Sequence, residues 1–252
     1  YRVNWSQVEF KNDLNKIEHP IVREVLRMFN IDFPIEITTI ADIPAGTGLG
    51  SSSSFCVGLI HAITTLLGIQ KTKYELASLA AEIEVDILGR SMGKQDHFAA
   101  SYGNLNIINF LSNEKVEVEP VIYEKSKLLE LENNLMLFYT YLTRDASKVL
   151  ESQIKETKNK FDVLTQMKDL TLPLSNCLKK DGKLDEFGNI LHKNWILKQS
   201  ITNTISNQEI EKYYQIGLNS GALGGKLLGA GGGGFLLFYI KPKNRDSLIK
   251  AL

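Results

Sequence analysis

Apolar residues recur along this chain with two alternating periods, and each period marks an element. Residues 1 to 10 read as one extended segment. Pro20 then opens a helical pattern in which Ile21, Val22, Val25, Met28 and Phe29 share a side, with Pro20 in the first turn where its missing N–H is not needed. Residues 35 to 41 alternate, with Ile35, Ile37, Thr39 and Ala41 on one face, and predict a strand. From Ser51 to about Leu67, the residues Phe55, Leu59, Ile60, Ile63, Leu66 and Leu67 wrap much of a helix, which predicts deep burial and a rigidly held N-terminus. Gly68 ends it, and Thr72-Lys-Tyr-Glu75 is a capping box for a second helix over about 72 to 88.

The rows of that second helix separate by chemistry. Glu75, Ser78, Glu82 and Asp86 form a polar row that reads as a solvated face. Glu84 falls instead with Ala77, Ala81 and Leu88, so it is either a working carboxylate or a buried one satisfied by its surroundings. Gly93-Lys-Gln-Asp96 is a turn into a short helix, and Asp96 suits an N-cap as well as it suits catalysis. A strand near 104 to 110 follows, then a charged stretch over 111 to 134 with a short strand near 116 to 123. The domain boundary is placed in this stretch, dividing the chain into 1–125 and 126–252. The second half opens with a strand from Leu135 to Tyr141. A long helical stretch to about 180, broken near Pro173, comes next, then a helix over 184 to 199. Another starts at the apparent capping box Ser206-Asn-Gln-Glu209 and is followed by the strand Phe235 to Ile240. Helices and strands intermix in both halves with hairpin-like returns, which favours an α+β fold.

Two glycine-rich stretches carry the candidate chemistry. In Pro44-Ala-Gly-Thr-Gly-Leu-Gly-Ser-Ser-Ser-Ser54, glycines at every second position let backbone N–H groups converge on an anion, and the serines open a helix whose positive end favours phosphate. The same residues also make an ordinary turn and cap. No Lys precedes the serines, so the stretch is not a Walker A loop. Gly229, Gly231 and Gly234 have the spacing of a dinucleotide fingerprint but stand after a helix and before a strand, the reverse of the order it requires. They serve either direct phosphate contact or close packing against the first glycine stretch. The four histidines, His19, His61, His97 and His192, have no zinc-type spacing and read as packing or surface residues, and Lys198 reads as a snorkelling side chain.

Composition narrows the classes. The 252 residues are 43% hydrophobic and 23% charged, as expected for a soluble globular chain. Lys plus Arg equals Asp plus Glu at 29 each, so bulk charge gives no case for nucleic acid or an anionic membrane. Cys56 and Cys177 lie far apart in apolar surroundings and read as buried thiols in a reducing compartment, which places the protein in the cytoplasm. No apolar run is long enough to span a bilayer.

Three separated stretches, Pro44 to Ser54, Gly93 to Asp96 and Lys226 to Phe235, together resemble the motifs of the GHMP small-molecule kinases. Within that family, the runs Leu49 to Phe55, Gly93 to Ala100, Thr143 to Ser147 and Gly224 to Gly231 look most like the D-glycero-D-manno-heptose 7-phosphate 1-kinases. The resemblance implies a two-domain fold, with a ribosomal protein S5 domain 2-like N-terminal domain and a ferredoxin-like C-terminal domain. It also implies an enzyme using ATP and Mg²⁺ to phosphorylate a sugar or sugar phosphate, above all the anomeric hydroxyl of D-glycero-D-manno-heptose 7-phosphate. The alternatives are a kinase for another sugar and a non-catalytic sugar- or nucleotide-binding homologue, and the resemblance allows a homodimer. ATP would be bound by Pro44, Ala45, Gly46, Thr47, Gly48, Leu49, Gly50, Ser51, Ser52 and Ser53. Ser52 and Glu84 would hold the metal, Asp96 would be the catalytic base, and Thr143, Arg144, Gly231 and Gly232 would lie on the substrate side. Lys94 either contacts phosphate or, the preferred reading, points to solvent. The family's first motif, a glycine-rich segment followed by Thr-Asp or Ser-Asp, has no counterpart here, and the chain reads as beginning after it.

Overall fold

The computed structural model describes residues 1–44, 46–142 and 146–252, in which the chain forms two compact units. The first comprises Tyr1–Ala45 with Gly50–Glu119, and the second Gly46–Leu49 with Pro120–Leu252.

The first unit opens with two short strands, β1 (Arg2–Asn4) and β2 (Val8–Phe10), where one extended segment is predicted. The chain reverses between them, with Trp5 N–H donating to Gln7 O at 2.9 Å, and β1 and β2 pair antiparallel with Val3 opposite Glu9. Helix α1 (Pro20–Met28) has Pro20 in its first turn and is capped by His19, whose Nδ1 accepts from Val22 N–H at 3.3 Å. The third strand, β3 (Glu36–Thr38), pairs parallel with β1 and completes the order β2-β1-β3. Against this lies α2 (Ser51–Leu66), between α1 and α3 (Lys73–Ala81).

The core of the first unit joins Val22, Val25 and Leu26 of α1 to Cys56, Ile60 and Ile63 of α2 and to Leu76 and Ala80 of α3. Each fully buried aliphatic side chain contributes about 1.5–3 kcal/mol over an exposed one, so the first turns of α2 are firmly anchored. The predicted all-round burial of α2 does not extend to its end. Leu66 is 60% exposed and Leu67 is exposed as well, because nothing in the unit covers the last turn. Both halves of the Thr72 capping box form: Thr72 Oγ1 accepts from Glu75 N–H at 3.2 Å, and Glu75 accepts from Thr72 N–H at 2.8 Å. Past Ala81 the helix widens into π-helical turns over Glu82–Ile87. Helix α4 (Gln95–Tyr102) and the paired strands β4 (Asn106–Phe110) and β5 (Val116–Pro120) then close a smaller apolar cluster on Ala77, Phe98 and Val116.

The second unit begins with α5 (Lys125–Asn134), a helix the sequence pattern does not announce, since it buries only Leu131 and Asn134. Its sheet has the order β6-β8-β7, from β6 (Leu135–Tyr139), β7 (Ala222–Leu227) and β8 (Phe235–Ile240), all antiparallel. The long helical stretch resolves into α6 (Ala146–Glu156), α7 (Phe161–Asp169) and α8 (Thr171–Asn176). The expected interruption near Pro173 falls at Leu170, between α7 and α8, and Pro173 itself stands in the first turn of α8, where no N–H is required of it. Helix α9 (Asp185–Gln199) packs on β7, followed by α10 (Gln208–Asn219) and α11 (Arg245–Ala251). The cap of α10 is Asn207 rather than Ser206. Asn207 Oδ1 accepts from the N–H groups of Glu209 and Ile210 at 3.0 and 2.9 Å, while the buried Ser206 hydroxyl makes no hydrogen bond.

The two glycine stretches meet within this unit. A Cβ on Gly234, at φ +99°, would stand 2.1 Å from Thr47 O, and one on Gly48, at φ +83°, would stand 2.7 Å from Leu228 O. Both positions therefore require glycine for backbone shape and for space. Gly234→Ala is expected to lower stability by about 1–3 kcal/mol, the usual cost of holding a side chain in such a conformation. A urea midpoint equal to that of the unchanged protein would show that the loop yields instead.

Candidate active site

The candidate site of the first unit is built where the widened turns after α3 face the start of α2. Small residues on α3, Ala77, Ala80 and Ala81, are buried and let the two helices approach. The π-helical turns close with Leu88 N–H donating to Ile83 O at 2.9 Å, a longer step than an α-helix makes. Beyond them Arg90 N–H donates to Glu84 O at 3.0 Å across Gly89, which is left-handed at φ +62°. Glu84 is wholly buried, as the row it shares with Ala77 and Ala81 predicts, while Glu82 and Asp86 are exposed.

Both carboxylate oxygens of Glu84 are engaged. Oε1 accepts hydrogen bonds from Ser52 Oγ, in the first turn of α2, and from Arg90 Nη1. The same Nη1 also reaches Ser52 Oγ at 3.2 Å. Oε2 lies 2.9 Å from Nε2 of His97, whose ring is buried. Burial pushes the Glu84 carboxyl upward, but the contacts from His97, Ser52 and Arg90 together outweigh it and hold the group below the usual glutamate range. Glu84 is therefore an anion in the interior, a state that needs such partners.

Asp96, in the first turn of α4, stands beside the start of α2. Its carboxylate Oδ2 is 3.5 Å from the place a Cβ of Gly50 would take. Burial raises its carboxyl above the usual aspartate range, with the negative charge of Glu84 adding to the rise and His97 opposing it. Gly50 is the N-cap of α2 in a left-handed conformation and supplies no side-chain cap, so the first N–H groups of this sixteen-residue helix receive no hydrogen bond from a capping side chain. Of the serines there, Ser52 is exposed and Ser51 half-buried, whereas Ser53 is sealed inside with its hydroxyl unpartnered. Cys56, one turn further on, is inert: burial, assisted by the Glu84 charge, pushes its thiol up to about 12.

In the second unit, the glycine run is tied to its surroundings by backbone. Gly232 N–H donates to Ile205 O at 2.7 Å, Gly234 N–H donates to Leu142 O at 2.9 Å, and Gln153 Nε2 donates to Ala230 O at 2.7 Å. A Cβ on Gly231 would meet the backbone of Ile205. Lys198 does not simply snorkel: its Nζ donates to Gly229 O and ties α9 to the run. Lys94, expected in solvent, is one-third exposed and pairs with Glu114 at 3.3 Å. The expected roles of Ala45, Thr143 and Arg144 fall on residues outside those described.

The α2 start fits an anionic ligand with a divalent cation. Helix N–H groups without a side-chain cap favour phosphate, and a buried anionic carboxylate beside an exposed serine hydroxyl offers hard oxygen ligands. Among the described residues no group of three or more His, Cys, Asp and Glu gathers into a metal cage.

Family models described as GHMP kinases N terminal domain and GHMP kinases C terminal match residues 15–104 and 174–252. The D-glycero-alpha-D-manno-heptose 7-phosphate kinase of Campylobacter jejuni is 33% identical over 246 residues, covering 96% of this chain and 70% of that protein. The chain belongs to the GHMP kinase family. This GHMP kinase has the family's two-domain mixed fold and is an ATP-dependent phosphotransferase with an alcohol group as acceptor. It is also 27% identical to the L-fucokinase/L-fucose-1-P guanylyltransferase of Bacteroides fragilis, over 97% of this chain but only 26% of that longer protein. The crystal structure of a D-glycero-D-manno-heptose 1-phosphate kinase from Bacteroides thetaiotaomicron superposes with a TM-score of 0.67 at 28% identity, covering 100% of this chain and 76% of that one. No described helix of the kinase is long and apolar enough to cross a membrane.

Two residues of the site escape a reading by sequence. His97 follows Asp96 directly, yet its partner Glu84 comes from another element, and no spacing rule links them. Arg90 lies in a turn where a cation ordinarily means solvent. The only signal is indirect: a buried carboxylate needs a donor, and these two residues flank the turn that follows it.

Proposed function

We propose that this kinase transfers the γ-phosphoryl group of ATP to the anomeric hydroxyl of D-glycero-D-manno-heptose 7-phosphate, with Mg²⁺ as its cofactor. The observation that carries the reading of the site is the convergence of Ser52, Glu84 and Asp96 on the uncapped start of α2. The sugar is suggested by the 33% identity to the heptose 7-phosphate kinase, extending over nearly all of this chain.

The N–H groups of the first turn of α2 and the hydroxyls of Ser51 and Ser52 would bind the phosphates. Ser52 and Glu84 would hold Mg²⁺, which when bound neutralises charge on the phosphates. Asp96 would orient the acceptor hydroxyl and take its proton at Oδ2. Phosphoryl transfer asks mainly for alignment and charge stabilisation, and a helix start anchored in the core keeps these groups in place. A base with a raised pKa is better matched to an anomeric hydroxyl, which is more acidic than an ordinary alcohol. The need for ATP and the two buried free thiols, Cys56 and Cys177, support a reducing, cytoplasmic setting for the reaction.

ADP release measured with and without Mg²⁺ across a panel of sugars and sugar phosphates tests the proposal. Magnesium-dependent turnover with the heptose 7-phosphate well above the other acceptors is expected. Preference for a different sugar would overturn the substrate, and release with none of them would overturn the activity proposed for this chain.

A further inference from the structure

Glu84 has two oxygens, and its partners divide between them in a way the metal assignment alone does not require. Oε1 faces Ser52 and Arg90, while Oε2, among the described residues, faces His97 alone. Arg90 is about one-third exposed and sets Nη1 of its guanidinium against both Ser52 Oγ and Glu84 Oε1. That nitrogen thus touches the same two oxygens proposed as metal ligands. Arg90 and a divalent cation cannot both occupy the place, so cation entry must displace a side chain that has solvent to move into. His97 is different: it is wholly buried in α4 beside Phe98 and has no such exit.

We infer that His97 is a positioning residue of this kinase, pinning Oε2 of Glu84 so that Oε1 keeps its aim at Ser52 while Arg90 is exchanged for the cation. The inference rests on the proposed metal site. Its physical basis is the hydrogen-bond inventory of the ring. An ionised carboxylate only accepts, so Nε2 must donate. Nδ1 is buried with no partner, and no acceptor stands ready for a proton there. The contact with the carboxylate therefore requires a proton on Nε2. Without that donor, the carboxylate would lose its fixed point at the moment Arg90 leaves, and Oε1 would be free to rotate away from the cation. Partners that orient a ligating carboxylate typically contribute about 10–100-fold to metal affinity.

The test compares binding of β,γ-imido-ATP with and without Mg²⁺ by calorimetry, taking the gain that the metal brings as the readout. In the unchanged protein the metal should strengthen binding, and Glu84→Gln should remove the gain. If there is no gain, or Glu84→Gln leaves it intact, the metal site itself is wrong. Given that site, His97→Leu should reduce the gain by about 10-fold or more, and His97→Gln, whose amide can donate from a similar reach, should restore most of it. A merely structural role predicts the opposite order, since apolar Leu suits a buried pocket better than Gln. Equal gains in His97→Leu and the unchanged protein would overturn the inference. Should His97→Leu fail to fold, nitrogen NMR of ¹⁵N-histidine in the unchanged protein decides. A protonated Nε2, both before and after Mg²⁺ and the ATP analogue are added, is expected. A proton on Nδ1 in place of Nε2 would overturn the inference, because Nε2 could then not donate to Glu84.

Discussion

Asp96→Asn is expected to lower kcat by about 10²–10⁴-fold, the usual contribution of a positioned general base, while leaving ATP affinity nearly unchanged and raising the melting temperature. The first two effects follow from the role proposed for it beside Gly50, in which it would face the acceptor and is not assigned to hold phosphate. The third follows from its titration. Burial, with Glu84 adding, raises the Asp96 carboxyl above its ordinary 3.8 against the opposing pull of His97. A carboxyl raised in the fold binds its proton more tightly folded than unfolded. Its contribution therefore favours the fold below about 3.8 and is lost as pH rises through the raised value. At neutral pH the ionised Asp96 weighs against folding, and the neutral amide removes that burden. Single-turnover kinetics, calorimetry with ATP and thermal unfolding at pH 7 check the three parts. A variant that turns over normally would exclude Asp96 as the base, and one that melts lower would show that its carboxylate is held by partners rather than tolerated for function.

How much of this arrangement is legible in the sequence depends on whether the physics is local. The start of α2, the Thr72 cap and the burial of Glu84 are local, set by glycine and serine chemistry at a helix start and by a helical row of alanines, and the structure shows each. The π-helical widening after Ala81 is not legible, because the residues Glu82–Ile87 carry no signal that separates it from an α-helix. Helix α5 is hidden for the converse reason: with two buried residues in ten, it has no stripe to read. Ser206 and Asn207 are both good caps, and only the path of the chain selects Asn207. The partners of Glu84 arrive from three segments, α2, the turn at Arg90 and α4. Periodicity can say that a carboxylate is buried, but not which donors meet it. The glycine run after Gly224 shows the same limit, since its requirement at Gly234 comes from the carbonyl of Thr47, far away in sequence.

Glu84→Gln separates the metal role of this residue from its role in the fold, and both effects should be large. Gln keeps the shape but loses the charge and turns one acceptor into a donor. If its oxygen stays with His97, its amide nitrogen faces Arg90, and two donors meet; if it flips, the clash is with His97. Either way a buried polar contact is lost, costing about 1–3 kcal/mol. The Mg²⁺ concentration for half-maximal rate should rise by at least about 100-fold, since a ligand lost outright should cost no less than a lost supporting contact. The pH dependence of stability should change as well. The Glu84 carboxyl is held below its ordinary 4.5 despite burial. Its stabilisation is therefore complete above that value and lost as pH falls through the lowered one. The unchanged protein should lose part of its stability on acidification below about 4.5, and the Gln variant should lack that part of the decline. Unfolding midpoints in urea from pH 3 to 7, alongside magnesium titrations of the rate, measure the two effects separately. A flat magnesium response with a lowered midpoint would make Glu84 a structural anion that Arg90 and His97 hold for the fold alone, and the metal would then have to be sought elsewhere in the chain.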